Sequence, residues 1–405
     1  MKTTQKQKNN WQTKKLGGVC DFQNGFAFKS KLFREQGSPV LRISNIQNDG
    51  ISYNRLVFFD KKDYKENFDK YKALKGDLVI AMSGATTGKL AVCNADEIFY
   101  LNQRVGKFKP KGDLSNNYLY YFLSTKIEEN LKISAGSAQP NLSTEQIKNL
   151  EIPLPPLPEQ HRIVKILDEV FEKIEKAKEN TEKNLKNGKE LFESYLQSVF
   201  SNEKWESKKL SEIFQIKPPK KEAQSKLKKD DLVSFVPMHD LKISLKEFIS
   251  KEERKLAEVS GSYTYFANED VLLAKITPCF ENGKLGIARN LKNGIGFGSS
   301  EYIVFRSNGE IIPDYLYYFL SREQFRKDGA KKMSGACGHK RVSKEFIEET
   351  ILSFPKSLSE QKSIVKKLDA LVEETKKLET IYKQKLADLD ELKKSVLKKA
   401  FSGEL

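Results

Sequence analysis

The chain carries its own first half a second time. Residues 205–402 loosely repeat residues 1–201, and each copy closes in a long segment with heptad-like spacing. Trp11-Gln12-Thr13-Lys14-Lys15-Leu16 returns as Trp205-Glu206-Ser207-Lys208-Lys209-Leu210, and Gly76-Asp77-Leu78-Val79-Ile80-Ala81 as Glu269-Asp270-Val271-Leu272-Leu273-Ala274. Asn117-Tyr118-Leu119-Tyr120-Tyr121-Phe122-Leu123-Ser124 recurs as Asp314-Tyr315-Leu316-Tyr317-Tyr318-Phe319-Leu320-Ser321. Glu159-Gln160, with Ile163-Val164-Lys165 and Leu167-Asp168, recurs as Glu360-Gln361, with Ile364-Val365-Lys366 and Leu368-Asp369. The offset between copies drifts only from 193 to 201, so seven or eight residues of net insertion separate the copies. Its period is too long for a solenoid, whose units run ~20–50 residues. The simplest architecture is two globular heads of ~150 residues, each followed by a helical arm.

Bulk numbers narrow the class. The chain is 38% hydrophobic and 31% charged, and no apolar run approaches the ~18 residues of a membrane span. The start, Met1-Lys2-Thr3-Thr4-Gln5, has no apolar stretch behind it, so no secretion signal is expected and the expected compartment is the cytoplasm. Cys20, Cys93, Cys279 and Cys337 lie far apart, and His161, His239 and His339 stand in no ligand-like spacing with them, which predicts free thiols and no zinc site. The net charge is +16. Residues 157–204 hold 9 Lys/Arg against 10 Asp/Glu, and residues 358–405 hold 11 against 9, so nearly all of the excess lies on the heads. Basic heads on near-neutral arms are the electrostatic footprint of a polyanion binder.

From Ile163, the positions Leu167, Val170, Ile174, Ala177, Thr181, Leu191 and Tyr195 step in fours and threes, weakening at Asn184 and Gly188. From Ile364, the same rhythm gives Leu368, Leu371, Thr375, Leu378, Tyr382, Leu389, Leu392 and Val396. Pro158 and Ser359 mark matching starts, the latter as an N-cap. Some 43 helical residues would make a rod of ~65 Å. The first rod leads from head one to head two and the second leaves head two, so rods that pair along their length must be antiparallel. The predicted fold class is therefore α+β: two mixed α/β heads with a pair of long antiparallel coiled-coil helices between them, related by a pseudo-two-fold internal repeat. The expected boundaries are 1–156, 157–204, 205–357 and 358–405.

Within head one, 40–43, 78–82 and 105–108 read as strands and 118–124 as a short amphipathic helix, and Ser143-x-x-Gln146 as a capping box. The copy keeps Ser343 but has Phe346 where the box needs Glu or Gln. Ile152-Pro153-Leu154-Pro155-Pro156-Leu157-Pro158 reads as an extended strap between head and rod. Motifs for catalysis fail one by one. Ser83-Gly84-Ala85-Thr86-Thr87-Gly88-Lys89-Leu90 has three residues between its glycines and Leu90 after the lysine, where a phosphate loop needs four and a Ser or Thr. Gly294-Ile295-Gly296-Phe297-Gly298 runs into the strand-like Glu301-Tyr302-Ile303-Val304-Phe305, whereas a dinucleotide turn must open a helix. No Asn/Asp-Pro-Pro-aromatic tetrapeptide of an amino-methyltransferase is present. Pro313-Asp314 would start a nuclease cluster in one copy only, because the other has Asn116-Asn117 there. The reading is therefore a chain that does no chemistry itself.

What differs between the copies are polar, basic loops. Asn102-Gln103-Arg104 is matched with Gly298-Ser299-Ser300, and Gly136-Ser137-Ala138-Gln139-Pro140-Asn141 with Gly335-Ala336-Cys337-Gly338-His339-Lys340-Arg341. Gln, Asn and Arg make bidentate contacts to base edges, and Lys and Ser more often hold phosphates. The candidate DNA-binding residues are Ser83, Thr86, Lys89, Gln103, Arg104 and Gln139 in head one. In head two they are Lys275, Lys284, Ser299, Ser300, His339, Lys340 and Arg341.

The whole chain resembles the specificity subunit of a type I restriction-modification system. The resemblance is carried by the duplicated head-plus-helix layout, Pro155-Pro156-Leu157-Pro158-Glu159-Gln160, Leu358-Ser359-Glu360-Gln361, and the closing Ala400-Phe401-Ser402-Gly403-Glu404-Leu405. The second strap departs from it, with Phe354-Pro355-Lys356-Ser357 in place of the proline run, and head two lacks the glycine loop. The resemblance implies that each head is a target-recognition domain for one half of a split DNA site and that the rods set the gap, with half-sites about one turn apart, ~34 Å or more. It also implies that adenine methylation comes from two modification subunits using S-adenosylmethionine, and ATP- and Mg-dependent translocation and cleavage from restriction subunits. The competing reading is a non-enzymatic coiled-coil scaffold whose basic heads bind acidic proteins.

Overall fold

The computed structural model describes residues 11–47, 50–134, 141–336 and 338–405. They form two compact units, one of residues up to 181 together with 384–405, the other of residues 182–383.

In the first unit, the Trp-x-x-Lys-Lys-Leu motif opens a clasp. Gln12–Lys15 pairs antiparallel with Glu151–Leu154, Gln12 opposite Leu154 and Lys15 opposite Glu151. Pro153 is tolerated there because the ribbon has only two strands, so a missing N–H costs no interior ladder bond. Between the clasp strands lie two four-stranded sheets. Cys20–Asn24, Val105–Pro110, Leu78–Ala81 and Leu90–Val92 form an antiparallel one in that order. Val57–Phe59, Ser38–Leu41, Phe99–Leu101 and Lys72–Ala73 form the other, in which Ser38–Leu41 and Phe99–Leu101 run parallel. The second unit repeats this plan. Glu206–Lys209 clasps Ile351–Phe354. Phe214–Ile216, Tyr302–Ser307, Val271–Ala274 and Leu285–Ile287 make the antiparallel sheet. Glu252–Lys255, Leu232–Val236, Ile295–Gly298 and Thr264–Ala267 make the mixed one, with its parallel pair at the same place.

The two motifs discounted as nucleotide loops take the conformations their spacing demands. Residues 82–89 join two antiparallel strands through the short 3-10 turn Gly84–Thr86, with no helix after it. Ile295–Gly298 is a strand that turns into the strand Tyr302–Ser307. The capping box forms as read: Ser143 Oγ accepts from Gln146 N at 3.1 Å and Gln146 Oε1 from Ser143 N at 2.8 Å. Ser343 keeps only its half, accepting from Phe346 N at 3.1 Å. Three local expectations are corrected. The first strand is Ser38–Leu41 rather than 40–43, because Asn45 Oδ1 accepts from Arg42 N and tightens Ile43–Asn45 into a 3-10 turn. The helix expected at 118–124 runs Asn116–Ser134. The second arm starts one residue before Ser359, and its N-terminal hydroxyl is that of Ser357, which accepts from Glu360 N at 3.4 Å.

Each arm is a single helix, Leu157–Val199 and Leu358–Ser402. In the first unit, Lys178 pairs with Asp390 at 2.5 Å and Lys393 with Glu175 at 2.9 Å, an antiparallel register, and Lys189 with Glu379 at 3.3 Å in the second unit has the same sense. The seam differs from the predicted one in a third of its positions. Leu371, Leu378, Leu392, Leu191 and Tyr195 are exposed, Leu191 by 73%, and the inward stripe runs instead through Val372, Glu379 and Lys393 on the second arm and Phe192 and Leu196 on the first. The shared positions Leu368, Thr375, Tyr382, Leu389 and Val396 hold. A heptad read from the leucines alone slid one residue, because at three turns a charged or smaller side chain occupies the inward place and its stem packs there.

The arms are anchored at both ends. Gln160 is fully buried: its Nε2 donates to Asp113 O (2.6 Å) and Pro155 O (2.8 Å), and its Oε1 accepts from Ser115 N (2.8 Å). Gln361 repeats all three contacts, with Glu310 O, Pro355 O and Ile312 N at 2.8, 2.9 and 3.0 Å. At the far ends, Phe401 packs on Tyr118 and Phe122 in the first unit, with centroids 5.1 and 5.6 Å apart, and Phe200 packs on Tyr315 and Phe319 in the second, at 5.0 and 5.5 Å. Tyr121 donates to Asp168 and Tyr318 to Asp369 at matching places on the two arms. Replacing Gln160 by Leu would leave one N–H and two carbonyls unpaired in a dry site, at about 1–3 kcal/mol for each orphaned group. The expected outcome in chemical denaturation is a loss of several kcal/mol for Gln160→Leu or Gln361→Leu, against under about 0.5 kcal/mol for the exposed Leu191→Gln.

Candidate nucleic-acid interface

In each unit, three loops meet at the same end of the antiparallel sheet, held by the same backbone bonds. In the first, Met82 N donates to Arg104 O at 2.9 Å and Leu142 N to Met82 O at 2.8 Å, and Ser83 bridges Asn141. In the second, Lys275 N donates to Glu301 O at 2.9 Å and Val342 N to Lys275 O at 2.9 Å, and Ile276 bridges Arg341. The turn 102–104 is fixed from below: Asn102 N donates to Leu41 O (2.9 Å) and Phe26 N to Leu101 O (2.8 Å). Gly25 lies so close that a Cβ there would stand 2.1 Å from Asn102 O. Beneath this turn, Phe26, Phe28, Phe59, Tyr64, Phe68 and Tyr100 form an edge-to-face aromatic cluster that supplies rigidity.

These bonds correct the alignment of the copies. Leu101 and Gly298 end corresponding strands, and Val105 and Tyr302 begin the next ones. Asn102-Gln103-Arg104 therefore corresponds to Ser299-Ser300-Glu301, one residue on from the pairing read in the sequence. The consequence is a reversal of charge, with Glu301 occupying the backbone position of Arg104. In the sequence Glu301 looks like the start of a strand; the equal count of three residues between the two strand pairs is the signal that places it in the turn.

The candidate side chains fall into two groups. Several are held by the protein itself. Thr86 Oγ1 donates to Ile43 O at 3.0 Å, Lys89 Nζ to Gln47 Oε1 at 2.8 Å, Lys284 Nζ to Met238 O at 2.8 Å and Lys275 Nζ to Ser300 O at 3.0 Å. Ser299 Oγ accepts from Glu301 N at 3.2 Å. Arg341 holds Glu301 bidentately, Nε at 2.9 Å and Nη2 at 2.7 Å. Gln103, Arg104, Ser300, His339 and Lys340 are exposed, and their side chains have no hydrogen-bond partner among the described residues. Ser83 is half-buried on the bridge to Asn141, and Gln139 lies outside the described residues. The loops also differ one layer down. Asn45, buried, accepts from Arg42 N and donates to Ser52 O; its counterpart is Asp240, and Pro237 in place of Arg42 has no N–H to offer, so the buried Asp240 Oδ2 has no partner among the described residues.

The bidentate hydrogen bond from Arg341 holds the Glu301 carboxyl below its ordinary range, against the effect of partial burial and with help from the Lys275 charge. A folded value below the unfolded one means that the pair contributes stability at neutral pH that is lost as the pH falls through the folded value. Carboxyl-detected NMR titration is expected to show Glu301 protonating at lower pH than a free glutamate, and to return it toward that value in Arg341→Ala.

Three comparisons bear on this arrangement. A family model described as a type I restriction modification DNA specificity domain matches residues 8–184 and again 202–387. The EcoAI specificity subunit of Escherichia coli is 36% identical over 187 residues, 46% of this chain and 30% of that protein. The EcoKI specificity subunit of Escherichia coli K12 is 24% identical over 98% of this chain and 89% of its own length. The chain thus matches less than a third of EcoAI and nearly all of EcoKI. Among solved structures, a chain from a study of complex assembly and conformational transition in the type I R-M system superposes with a TM-score of 0.73 at 18% identity, covering 98% of this chain and 99% of that one. The HsdS subunit of Thermoanaerobacter tengcongensis superposes at 0.58 and 19%, covering 98% of both. These likenesses establish the fold.

Proposed function

Because the chain belongs to the type I restriction modification DNA specificity family, we propose that it is the sequence-reading subunit of a restriction-modification complex, with residues 1–156 and 205–357 each reading one half of a bipartite DNA site. The observation that carries this reading is the pair of loop clusters built on identical backbone bonds but carrying unlike side chains. A common frame keeps the approach to the duplex the same, and exchanging Gln103 and Arg104 for Ser300 and the Glu301–Arg341 pair changes what is read. Head one presents a free guanidinium. Head two presents an arginine whose fork is already engaged, together with the free Lys340 and His339.

In this reading the chain contributes recognition and no bond-making step. Adenine methylation with S-adenosylmethionine belongs to two modification subunits, and translocation and cleavage with ATP and Mg to restriction subunits, all acting on DNA in the cytoplasm. No helix among the described residues is long and apolar enough to cross a membrane. The excess charge of the heads supplies the salt-dependent part of affinity, and the free side chains supply discrimination.

The decisive experiment is adenine-methylation mapping of DNA from cells carrying the partner subunits with and without this chain. A split motif with an unread centre is expected to vanish when the chain is deleted, and methylation that persists unchanged would overturn the reading. Within the assembled complex, Arg104→Ala is expected to cost about 1–3 kcal/mol of discrimination at one base pair of a single half-site and to leave the other half as before. Lys340→Ala is expected to weaken cognate and non-cognate DNA alike and to reduce the slope of log K against log salt by about 1, measured by fluorescence anisotropy from 50 to 200 mM salt.

A further inference from the structure

In each unit, the mixed sheet sets two parallel strands side by side, Ser38–Leu41 beside Phe99–Leu101 in the first and Leu232–Val236 beside Ile295–Gly298 in the second. Neighbouring parallel strands end at the same edge, so the segments that leave their carboxyl ends emerge together. One of those segments is the turn 102–104, or 299–301. The other, 42–45 or 237–240, is a fourth member of the loop cluster. The approach is close: a Cβ on Gly298 would stand 2.3 Å from Val236 O. The backbone of this fourth turn is the same in both units, with Asn45 N donating to Arg42 O at 2.9 Å and Asp240 N to Pro237 O at 3.0 Å. Its second carbonyl is tied down in both, Ile43 O by Thr86 Oγ1 at 3.0 Å and Met238 O by Lys284 Nζ at 2.8 Å. Thr86 and Lys284 thus fasten the turn to the loop whose Met82 or Lys275 bonds Arg104 O or Glu301 O.

The side chains on the fourth turn are unlike in the two units. In the first, Arg42 Nη2 donates to Arg55 O at 3.0 Å and Asn45 is buried. This leaves Ser44, which is exposed and whose hydroxyl has no hydrogen-bond partner among the described residues. In the second, the position of Ser44 is taken by His239, whose side chain is 75% exposed. Its Nε2 stands 3.4 Å from Oδ1 of Asp240, a carboxylate only 3% exposed whose other oxygen has no partner among the described residues. A hydroxyl both gives and accepts a hydrogen bond, whereas an imidazole held through one nitrogen has the other left for a ligand.

We infer that Ser44 and His239 are specificity-determining residues, each reading a base pair in the half-site of its own head, and that Asp240 is the positioning residue that aims the His239 ring. This rests on the assignment of the heads to two DNA half-sites and extends it to a turn outside the loops that differ most in sequence. The frame is common and the side chain is not, the contrast that also marks the turn carrying Arg104 or Glu301. A short hydroxyl and a planar ring discriminate by hydrogen-bonding pattern, the property that tells base edges apart in the major groove. The Asp240 carboxylate is enclosed and cannot meet a base itself, so its effect passes through the ring.

The test maps adenine methylation in DNA from cells that supply the partner subunits together with the full-length wild type or a single variant, and compares the melting temperatures of the purified chains. The wild type is expected to give a split motif. His239→Ala is expected to admit a second base at one position of one half, lowering discrimination there by about fivefold or more, and Ser44→Ala to do the same in the half that Arg104→Ala alters. Asp240→Asn, which installs the side chain of the counterpart Asn45, is expected to relax the same position as His239→Ala without lowering the melting temperature, a shift in base preference that a merely structural role would not produce. His239→Gln and Ser44→Thr keep a hydrogen-bonding group and are expected to methylate even where alanine abolishes methylation. Either alanine variant keeping the wild-type motif and its fidelity would overturn the inference while the two-half reading stands, as would His239→Ala acting in the half that Arg104→Ala alters. A wild type that methylates no split motif would overturn that reading and this inference together. Asp240→Asn melting lower with base preference unchanged would remove the positioning role.

Discussion

A glutamine amide with no access to water governs how each arm enters its head. Gln160 and Gln361 each satisfy two carbonyls and one N–H drawn from the strap, from the loop before the aromatic helix and from the residue immediately preceding that helix. Because a buried amide must find all its partners, the three segments can meet in only one arrangement. The strap is thereby held straight enough to pair with the first strand of the head, closing the clasp. The aromatic helix is held where its Tyr and Phe side chains can receive the end of the other arm. Phe200, buried, and Phe401, half-buried against the core of its head, then tie down helix ends that would otherwise fray.

This anchoring gives the loop clusters their reproducibility. The turn that carries Arg104 or Glu301 rests on a sheet whose neighbouring strands are bonded on both sides, and glycine at 25 lets the backbones approach too closely for any side chain. With the backbone fixed in this way, substitution acts through side chains alone. Arg104 replaced by Glu301 inverts the sign at one position without moving it, and Arg341 answers by forming a bidentate pair. A cation committed to such a pair offers a ligand fewer donors than a free one, so the two heads differ in chemistry far more than in shape.

Much of this was legible in the residues. The duplication, the two helical arms, their antiparallel sense, the capping box at Ser143 and the failure of both glycine-rich segments as nucleotide loops all follow from local spacing. The seam of the arms was legible only in part. Leu371, Leu378 and Leu392 have the right period for a heptad but stand beside the inward stripe, where Glu379 and Lys393 bury their stems and pair across the helices with Lys189 and Glu175. Hydropathy alone cannot see that exchange, because it counts the charged tip and not the aliphatic stem.

The candidate site shows the same division. Residue type and divergence between copies indicated the loops, but which side chains remain available was decided by contacts between segments far apart in the chain. Thr86 and Lys89 bond to residues 43 and 47, Lys284 to residue 238, and Arg341 to residue 301. By itself the sequence determined the repeat, the helical periodicity and the charge of the heads, because these are properties of neighbours along the chain. Tertiary structure alone decided the one-residue alignment of the turns, the aromatic seats of the arm ends, and which candidate side chains are held by the protein itself, because each depends on whether a partner from a distant segment arrives within hydrogen-bonding or stacking distance.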